Sequence, residues 1–545
     1  MSSAPPAGEA SPRRAATEPD PRRWWILAVL CLSLMLVMVS NGSLNVALPS
    51  IARELEATSS DLQWIVDAYA LVFAGMLFAA ATIGDRFGRK GALQAGLLLF
   101  LVAAAAGMIS ESSGQVIAAR ALMGLGAAFV MPSTLSILTN VFPERERAKA
   151  ISLWAGVAAG GAALGPPISG LLLQHFWWGS VFLVTVPIAV AALAVGHVLV
   201  PTTRDPDGTR LDVAGVVLSI VAVGALIYAI IEAPHLGWLS TATFGWFAGA
   251  AVALGAFVWW ERRSSHPMLD LRLFRDRRFS IASVGIAMVF FAMFGTFFLS
   301  TQLFQLVHGL SPLEAGLMLL PMSLTLMLVS PQAAGLAERF GVSTLAPVGM
   351  TIVTVGLVVM AGLTQLDTYW WLIGGMMVMA TGMALTMTPL TTLIMSSVPP
   401  ARAGMGSAMN DATRELGGAL GVAVLGSLTT TVYVNQLPSL DGLGAAARAE
   451  SESGLAGALQ SAGGLGADAA GALAAGARSA FVDGMSVATL VAAALAGTAA
   501  IIARRFLPRH AVSVSAPAAE YEFAATPPSA AAAALNPRAP TDPPR

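Results

Sequence analysis

Long apolar runs alternate with short polar segments along most of this chain. The hydrocarbon core of a bilayer is about 30 Å thick, and an α-helix needs roughly 20 residues to cross it. Fourteen runs are long enough, at residues 24–48, 62–83, 91–110, 115–139, 150–173, 178–200, 212–232, 241–260, 280–303, 312–335, 344–364, 369–395, 404–433 and 484–503. We therefore predict an all-α polytopic membrane protein with fourteen spans. The even number places both ends of the chain on the same side of the membrane.

The positions of lysine and arginine test this count, because cytoplasmic loops carry an excess of positive charge. If both ends are cytoplasmic, 25 of the 30 basic residues lie in inner segments, and only Arg53, Arg448 and Arg478 lie in outer loops. The other two, Arg120 and Arg414, lie within spans. A miscounted span would invert the side of every later loop, so the charge asymmetry supports both the number and the orientation.

Composition excludes several other classes of protein. With 56% hydrophobic residues and a mean hydropathy of +0.72, the chain falls in the membrane class. A net charge of −1 argues against a nucleic-acid partner. The single cysteine, Cys31, rules out a disulfide framework, and no HExxH spacing indicates a metal site. The chain contains no GxxxxGK[ST] phosphate loop and no soluble segment of catalytic-domain size, so we expect neither an enzyme nor an ATP-driven pump.

Three segments outside the spans differ from them in amino-acid composition. Residues 1–23 and 505–545 are rich in proline and alanine without periodicity, which predicts disordered cytoplasmic tails. Residues 434–483 form the longest loop, on the outer side, rich in alanine and glycine. Short helices or a hairpin over the outer mouth, and a disordered loop, are both compatible with that composition.

A short charged motif occurs twice at equivalent places. IGDRFG at 83–88 follows span 2, and LAERFG at 336–341 follows span 10. This parallel repeat predicts two six-helix halves, 24–200 and 280–504, with two inserted helices within 201–279. We expect the loop charges to act as a cytoplasmic gate that pairs when the halves meet, although a solvated loop that only orients insertion is the alternative. The gating residues are Asp85, Arg86, Gly88, Arg89, Lys90, Glu338 and Arg339.

Several strings carry a family resemblance. IGDRFGRK at 83–90, RALMGLGAA at 120–128 and GAALGPPISG at 161–170 resemble motifs of the major facilitator superfamily. WIVDAY at 64–69 and SPLEAGLMLLP at 311–321 are similar to strings of its fourteen-span drug and proton antiporter branch, the QacA-like and EmrB-like group. Ser40 stands where that family has an acidic residue in span 1.

The resemblance implies a major facilitator fold and proton-coupled efflux of lipophilic, cationic drugs or antibiotics across the plasma membrane by alternating access. It implies no cofactor, since the proton gradient supplies the energy. The expected partners are a small lipophilic substrate, protons and membrane lipid, and we expect a monomer. Arginine outnumbers lysine by 28 to 2, which favours a bacterial source with a GC-rich genome, of the actinobacterial kind.

Charged side chains inside a span are costly, by about 2.5 to 3.5 kcal/mol on insertion scales, so each needs a reason. Asp67 and Arg120 lie at similar depth, and our hypothesis is that they meet, with Asp67 exchanging a proton for the substrate. Asp411, Arg414 and Glu415 share one helix face in span 13, which makes Asp411 a second proton or cation candidate. The alternatives are a static ion pair for the first set and an interfacial cluster for the second.

Two further groups complete the candidate residues. Gly161, Gly165, Pro166 and Gly170 predict close packing and a bend of span 5, the antiporter kink that the resemblance implies, although such spacing also occurs in ordinary helix packing. Possible cavity-lining residues are Ser40, Asn41, Asn45, Trp64, Tyr69, Phe291, Phe294, Phe298 and Gln302, since aromatic walls suit lipophilic cations.

Other functions stay open at this point. A dedicated exporter of one endogenous metabolite, antibiotic or lipid follows from the same physics, and the missing acid at Ser40 favours neutral or monovalent substrates. An uptake symporter and a sensor that binds without transport are further alternatives.

Overall fold

The computed structural model describes residues 21–203, 211–363, 369–398, 403–438 and 444–507. Nearly all of the two predicted tails lies outside these ranges. The described residues fold into eighteen α-helices: α1 Arg23–Glu54, α2 Ser59–Phe87, α3 Arg89–Met108, α4 Ser113–Val141, α5 Glu144–His175, α6 Ser180–Leu183, α7 Thr185–Leu199, α8 Val213–Leu236, α9 Thr241–Arg263, α10 Arg277–Gln302, α11 Pro312–Met318, α12 Leu320–Phe340, α13 Val342–Leu363, α14 Trp370–Ser396, α15 Ala403–Gln436, α16 Ala445–Ser453, α17 Leu455–Ala462 and α18 Ala467–Phe506.

Fourteen helical segments of the described chain are long and apolar enough to cross a membrane, as predicted. Three of them are interrupted: α6 continues into α7, α11 into α12, and α10 into a π-helical turn, Leu303–Val307. The predicted start of span 10 is confirmed, because Ser311 and Glu314 form a reciprocal capping box with Pro312 in the first turn.

The outer segment after span 13 is helical where the structure describes it. Two short helices, α16 and α17, occupy residues 445–462. The last span differs from its predicted start at residue 484, because α18 already begins at Ala467. The added stretch is rich in alanine, the best helix former, although its polar residues lower its hydropathy. At 40 residues, or about 60 Å, α18 extends well beyond the hydrocarbon core.

The two halves share one pattern of helix contacts. In the first half, α1 packs on α5, α2 and α3 pack on α4, and α7 packs on α1 and α3. In the second half, α10 packs on α15, α12 and α13 pack on α14, and α18 packs on α10 and α13. These pairs correspond span by span, so the repeated loop motif reflects a repeated helix arrangement. The inserted helices α8 and α9 pack on each other, and α8 also contacts α2 and α15.

The halves contact each other at the ends of the helices that the charge asymmetry places outside. Ser427 of α15 donates a hydrogen bond to Gln63 Oε1 of α2 over 3.3 Å. Gln305, in the π-helical turn, donates to the Val46 carbonyl of α1 over 2.9 Å. At the opposite ends of α2, α4 and α15 the halves are separated by a large cavity. This conformation is therefore closed on the predicted outer side and open on the predicted cytoplasmic side.

Helix α5 packs closely on the backbones of α1 in its own half and α11 in the other half, and both contacts depend on glycine. A Cβ on Gly165 would lie 2.9 Å from the Val39 carbonyl oxygen of α1, and one on Gly170 would lie 2.6 Å from Leu313 Cα of α11. Cross-helix hydrogen bonds lock the first contact, since Ser43 donates to the Gly165 carbonyl and Ser169 donates to the Ser43 carbonyl. The small residues of α5 thus join α1 within one half and α11 in the other.

We expect Gly165→Ala to destabilise the protein, because its methyl group would clash with backbone atoms of α1, which cannot move away by a change of side-chain rotamer. Overpacking of this kind costs about 1 to 3 kcal/mol. Gly160→Ala is the matched control, since a Cβ there meets no atom within 4 Å and both variants gain the same helix propensity. Thermal unfolding of the purified protein should show a lower melting temperature only for Gly165→Ala. Equal melting temperatures would contradict the close contact.

Candidate functional site

A cavity of about 1670 Å³ lies between the inner ends of the two halves. Its walls come from the later turns of α2 and α4, the early turns of α5 and α15, the end of α14, and the segments that flank the inserted helices. The cavity is large enough for a drug-sized molecule, since ligand pockets commonly measure about 300 to 1,000 Å³.

The cavity walls are mixed in character. Bulky apolar side chains line much of the surface, among them Phe78, Met131, Trp154, Met268, Phe274, Met395 and Met405. Carboxylates lie among them, at Asp85, Asp212, Glu261, Asp270 and Asp411. Methionine and aromatic walls adapt to varied apolar shapes, and carboxylates supply a negative field, so the site suits molecules that are both apolar and positively charged.

Asp411 is the carboxylate that α15 contributes to this cavity. One oxygen of Asp411 lies 3.8 Å from Arg414 NH1, a loose ion pair along the helix face. The Arg414 guanidinium also lies over the Phe290 ring, 5.4 Å from its centroid, and donates to Thr391 Oγ1 over 3.4 Å. The predicted grouping on one helix face is therefore present, with Arg414 turned towards α10 and α14 and Asp411 towards the cavity.

Arg120 is fully buried and anchored within the first half. Its Nε donates to the Ile65 carbonyl of α2 over 3.1 Å, and NH2 donates to Asn41 Oδ1 of α1 over 3.3 Å. Its guanidinium stacks over the Tyr69 ring, 4.3 Å from the centroid. Arg120 therefore joins α1, α2 and α4 through a charge whose partners are a carbonyl, an amide and an aromatic face.

Asp67 and Arg120 form no ion pair in the structure, contrary to our hypothesis. Arg120 reaches the face of α2 that carries Ile65 and Tyr69, one turn apart. Asp67 lies two residues from each of these, on another face of α2, and there its neighbours at helical spacing, Trp64 and Ala70, belong to a cluster with α8 and α15. Similar depth along two helices does not bring side chains together when they point in different directions.

Asp67 has no exposed surface, and neither carboxylate oxygen accepts a hydrogen bond from any described residue. It thus lies between the two halves and beside the inserted helices, not inside one half. The carboxylate that interacts electrostatically with Arg120 and Tyr69 is instead Glu415, which comes from α15 of the other half.

The charged loop after α2 is ordered by contacts within the first half. Arg89 Nε donates to Asp85 Oδ1 over 2.7 Å, and Ser136 of α4 donates to the same oxygen over 3.4 Å. Lys90 donates to the His197 carbonyl at the end of α7. Gly88 has φ +125°, where a side chain would be strained, and this sharp turn between α2 and α3 explains the glycine in the motif.

The second copy of the motif has the same geometry with fewer contacts. Gly341 has φ +79° and ends α12 as Gly88 ends α2. Arg339 lies over the Phe340 ring at 5.3 Å, as Arg86 lies over Phe87 at 5.5 Å, while the side chain of Glu338 is exposed. In this open arrangement of the inner ends, the described charges of the two loops form no ion pair across the halves.

None of the nine residues expected to line a cavity borders the large inner cavity. Ser40, Asn45, Tyr69, Phe291, Phe298 and Gln302 are buried, and Asn41, Trp64 and Phe294 are partly buried. Phe298 and Gln302 border a small void of about 20 Å³ between α2, α10 and α15. Most of these side chains lie nearer the outer ends, where the halves are packed together, so a role in an outward-open conformation stays a prediction.

The structure adds residues that the sequence pattern did not single out. Gln63 joins the outer ends of the two halves, and Trp154 lines the cavity while donating to Thr134 Oγ1. Asp212 and Glu261 bring two carboxylates to the inner ends of the inserted helices. The sequence could have indicated Glu261 as a candidate, since it is an acidic residue that directly follows the apolar run of span 8.

Comparison with known proteins gives consistent results. A sequence model of the Major Facilitator Superfamily matches residues 30–422. The chain is 38% identical over 409 residues to the multidrug resistance protein Stp of Mycobacterium tuberculosis, covering 74% of this chain and 76% of Stp. It is 33% identical to the tetracenomycin C resistance and export protein of Streptomyces glaucescens, covering 88% and 91% of the two chains.

A solved structure shows the same fold. The crystal structure of a bacterial homolog of the human lysosomal transporter Spinster, in an inward-facing and unoccupied conformation, matches with a TM-score of 0.63 and 19% identity. The match covers 89% of this chain and 98% of the other.

We expect Arg120→Lys to lower both stability and transport. A lysine keeps the charge but lacks the planar fork that reaches Ile65 and Asn41 together and stacks on Tyr69. The lost charged hydrogen bonds predict a cost of about 1.5 to 3 kcal/mol, measured as a lower melting temperature. Arg448→Lys is the control, because that arginine is exposed and pairs with Glu452 on the surface of α16, where the exchange should cost little. A melting temperature unchanged in Arg120→Lys would show that the anchoring contacts are unimportant.

Proposed function

Because this chain belongs to the Major Facilitator Superfamily, we propose that it exports lipophilic cations across a bacterial plasma membrane in exchange for protons, by alternating access. The cavity carries this proposal most directly, since it combines apolar and aromatic walls with the carboxylate of Asp411. Its position between the inner ends suits loading of a substrate from the cytoplasm or the inner leaflet. The expected actinobacterial source agrees with the mycobacterial and streptomycete origins of the relatives.

The alternating-access part of the proposal is supported by how the halves meet. In this conformation the outer ends are joined by hydrogen bonds, and α5 packs on α11 without room for side chains. Rocking of the halves about the middle of the membrane would separate these contacts and close the inner cavity. A substrate bound beside Asp411 would then face the outside.

Asp67 is the proposed proton carrier. A buried carboxylate without a hydrogen-bond partner is very costly in ionised form, so the described surroundings favour the neutral, protonated side chain. The face of α2 that carries Asp67 packs on α15, and these helices belong to different halves. Separation of their outer ends would bring Asp67 towards the outer solution, where the proton is taken up. Glu415 and Arg120, which interact across the halves, would respond to the same movement.

A dedicated exporter is the second candidate. One of the relatives is a resistance and export protein for tetracenomycin C, and the superfamily fold accommodates that activity equally. Ser40, in place of an acidic residue, reduces the negative charge near the outer ends and favours a neutral or singly charged product. Neither activity requires a cofactor or a second subunit, because the proton gradient supplies the energy. We therefore propose a monomer whose partners are the substrate, protons and membrane lipid.

The first test is efflux of ethidium from cells that express the chain, with and without a protonophore. We expect protonophore-sensitive efflux in the parent and at least a tenfold loss in Asp67→Asn, because the amide cannot carry the proton. Asp61→Asn is the matched control: it makes the same chemical change on the same helix, at the capping box of the first turn. Unaltered proton-driven efflux by Asp67→Asn would remove Asp67 from the mechanism. Absence of ethidium efflux in the parent would favour the dedicated exporter.

Asp411→Asn should weaken substrate binding and leave the coupling to protons intact. Loss of the cavity carboxylate removes an attraction for a bound cation, so we expect a higher apparent KM for ethidium with a smaller change in the maximal rate. Kinetics of efflux at a fixed proton gradient measure the two separately. An equal KM in both proteins would show that Asp411 does not contact the substrate.

A further inference from the structure

Two carboxylates meet at the inner ends of the inserted helices, on other helices than those that carry Asp67 and Asp411. Asp212 is the N-cap of α8, and Glu261 lies in the last turn of α9. Both line the large cavity. Both border the cavity that we propose for the substrate, but neither is the proposed substrate contact or the proposed proton carrier, and neither is explained by helix capping alone.

Each carboxylate is held firmly through one oxygen. Glu261 is only 4% exposed, and its Oε2 accepts a hydrogen bond from Leu269 N over 3.0 Å. Asp212 Oδ1 accepts hydrogen bonds from Gly215 N over 2.9 Å and from Trp260 Nε1 over 2.8 Å. These contacts fix the orientation of both groups.

The second oxygen of each group has no partner among the described residues and points to a common space. Glu261 Oε1 and Asp212 Oδ2 are both buried and lack hydrogen bonds. A Cβ placed on Gly215 would lie 2.6 Å from the first and 3.0 Å from the second. The two oxygens therefore flank one point, and a side chain on residue 215 would displace at least the Glu261 oxygen from it.

The cavity that the pair borders is lined by charged residues from several elements. On the cavity wall these are Arg262 on α9, His266, Asp270, Arg272 and Arg275 on the segment after it, Asp85 and Arg89 on α2 and α3, and Asp411 on α15. Among the described residues, none of these cations forms an ion pair with either carboxylate. Two neighbouring carboxylates whose facing oxygens are shielded from water repel each other when both are ionised, so a proton shared between them is favoured.

We propose that Asp212 and Glu261 share one proton, which lies in a hydrogen bond between Glu261 Oε1 and Asp212 Oδ2. The pair is then a second proton-binding site, built by the two inserted helices and reached from the cytoplasmic cavity. It carries one negative charge in place of two, and it satisfies both unpartnered oxygens at once.

The site also has a mechanical consequence. Glu261 holds the segment 264–275 through Leu269, and this segment leads into α10, the first helix of the second half. Asp212 holds the start of α8. The shared proton thus joins α8, α9 and the connection to α10. Loss of the proton creates two adjacent negative charges, whose repulsion would loosen that connection as the cytoplasmic pH rises.

Infrared difference spectroscopy of the full-length protein in lipid nanodiscs, between acidic and alkaline pH, tests the proposal without requiring transport. The parent should show a protonated carboxyl band from the pair that persists at neutral pH. Glu261→Gln and Asp212→Asn should each abolish this band, because a single proton belongs to both residues. Asp67→Asn identifies the separate band of Asp67, and Asp270→Asn, on the same cavity wall, should leave the band of the pair intact.

Hydrogen exchange of residues 264–275 provides a second readout. After correction for the intrinsic pH dependence, protection in the parent should fall as pH rises, whereas Glu261→Gln should keep it constant, since its amide can donate permanently to Asp212. The proposal is overturned if each substitution removes a different band that titrates as an ordinary isolated acid. It is equally overturned if the band or the protection depends on an added divalent cation, which would make the pair a metal site. Both readouts are independent of whether the chain exports ethidium.

Discussion

A charge inside a bilayer must be paired, neutralised or placed next to water, and this constraint governs the whole arrangement of polar residues in the chain. Arg120 satisfies it with a backbone carbonyl, an amide and a tyrosine ring. Asp411 satisfies it by facing the cavity beside Arg414. Asp67 has no exposed surface and no hydrogen-bond partner among the described groups, which favours neutralisation by a proton. The first solution makes Arg120 an anchor between helices, and the other two fit the roles that we propose for Asp411 and Asp67.

Alternating access depends on interfaces that are tight yet can part. The contact of α5 with α11 is made by glycine and backbone, and the contact of α2 with α15 by small side chains and the Gln63–Ser427 hydrogen bond. Such surfaces slide or separate with few side-chain rearrangements, whereas the internal packing of each half stays fixed. The inserted helix α8 lies beside α2 and α15, so any movement of that interface is transmitted to the inserted pair and to the carboxylates at its inner end.

Much of the fold could be predicted because bilayer thickness and loop charge act on each span separately. The fourteen spans follow from those local signals, and the family follows from short motifs such as IGDRFGRK at 83–90. The start of α18 was missed, because hydropathy does not detect an alanine-rich helix outside the membrane. The predicted pairing of Arg120 with Asp67 was also wrong. The depth of a residue along a helix can be inferred from the sequence, but the direction of its side chain depends on how the helices are rotated against each other. The contact between Glu261 and Asp212 was missed for the same reason.

The most direct test of exchange is proton release on substrate binding. Purified protein in weakly buffered detergent solution is mixed with ethidium, and the pH of the solution is followed while binding is measured by fluorescence. If a cation and a proton compete for the same protein, the parent releases protons as ethidium saturates the site, and Asp67→Asn binds ethidium with less release. Saturable binding by the parent without any proton release would contradict proton-coupled export.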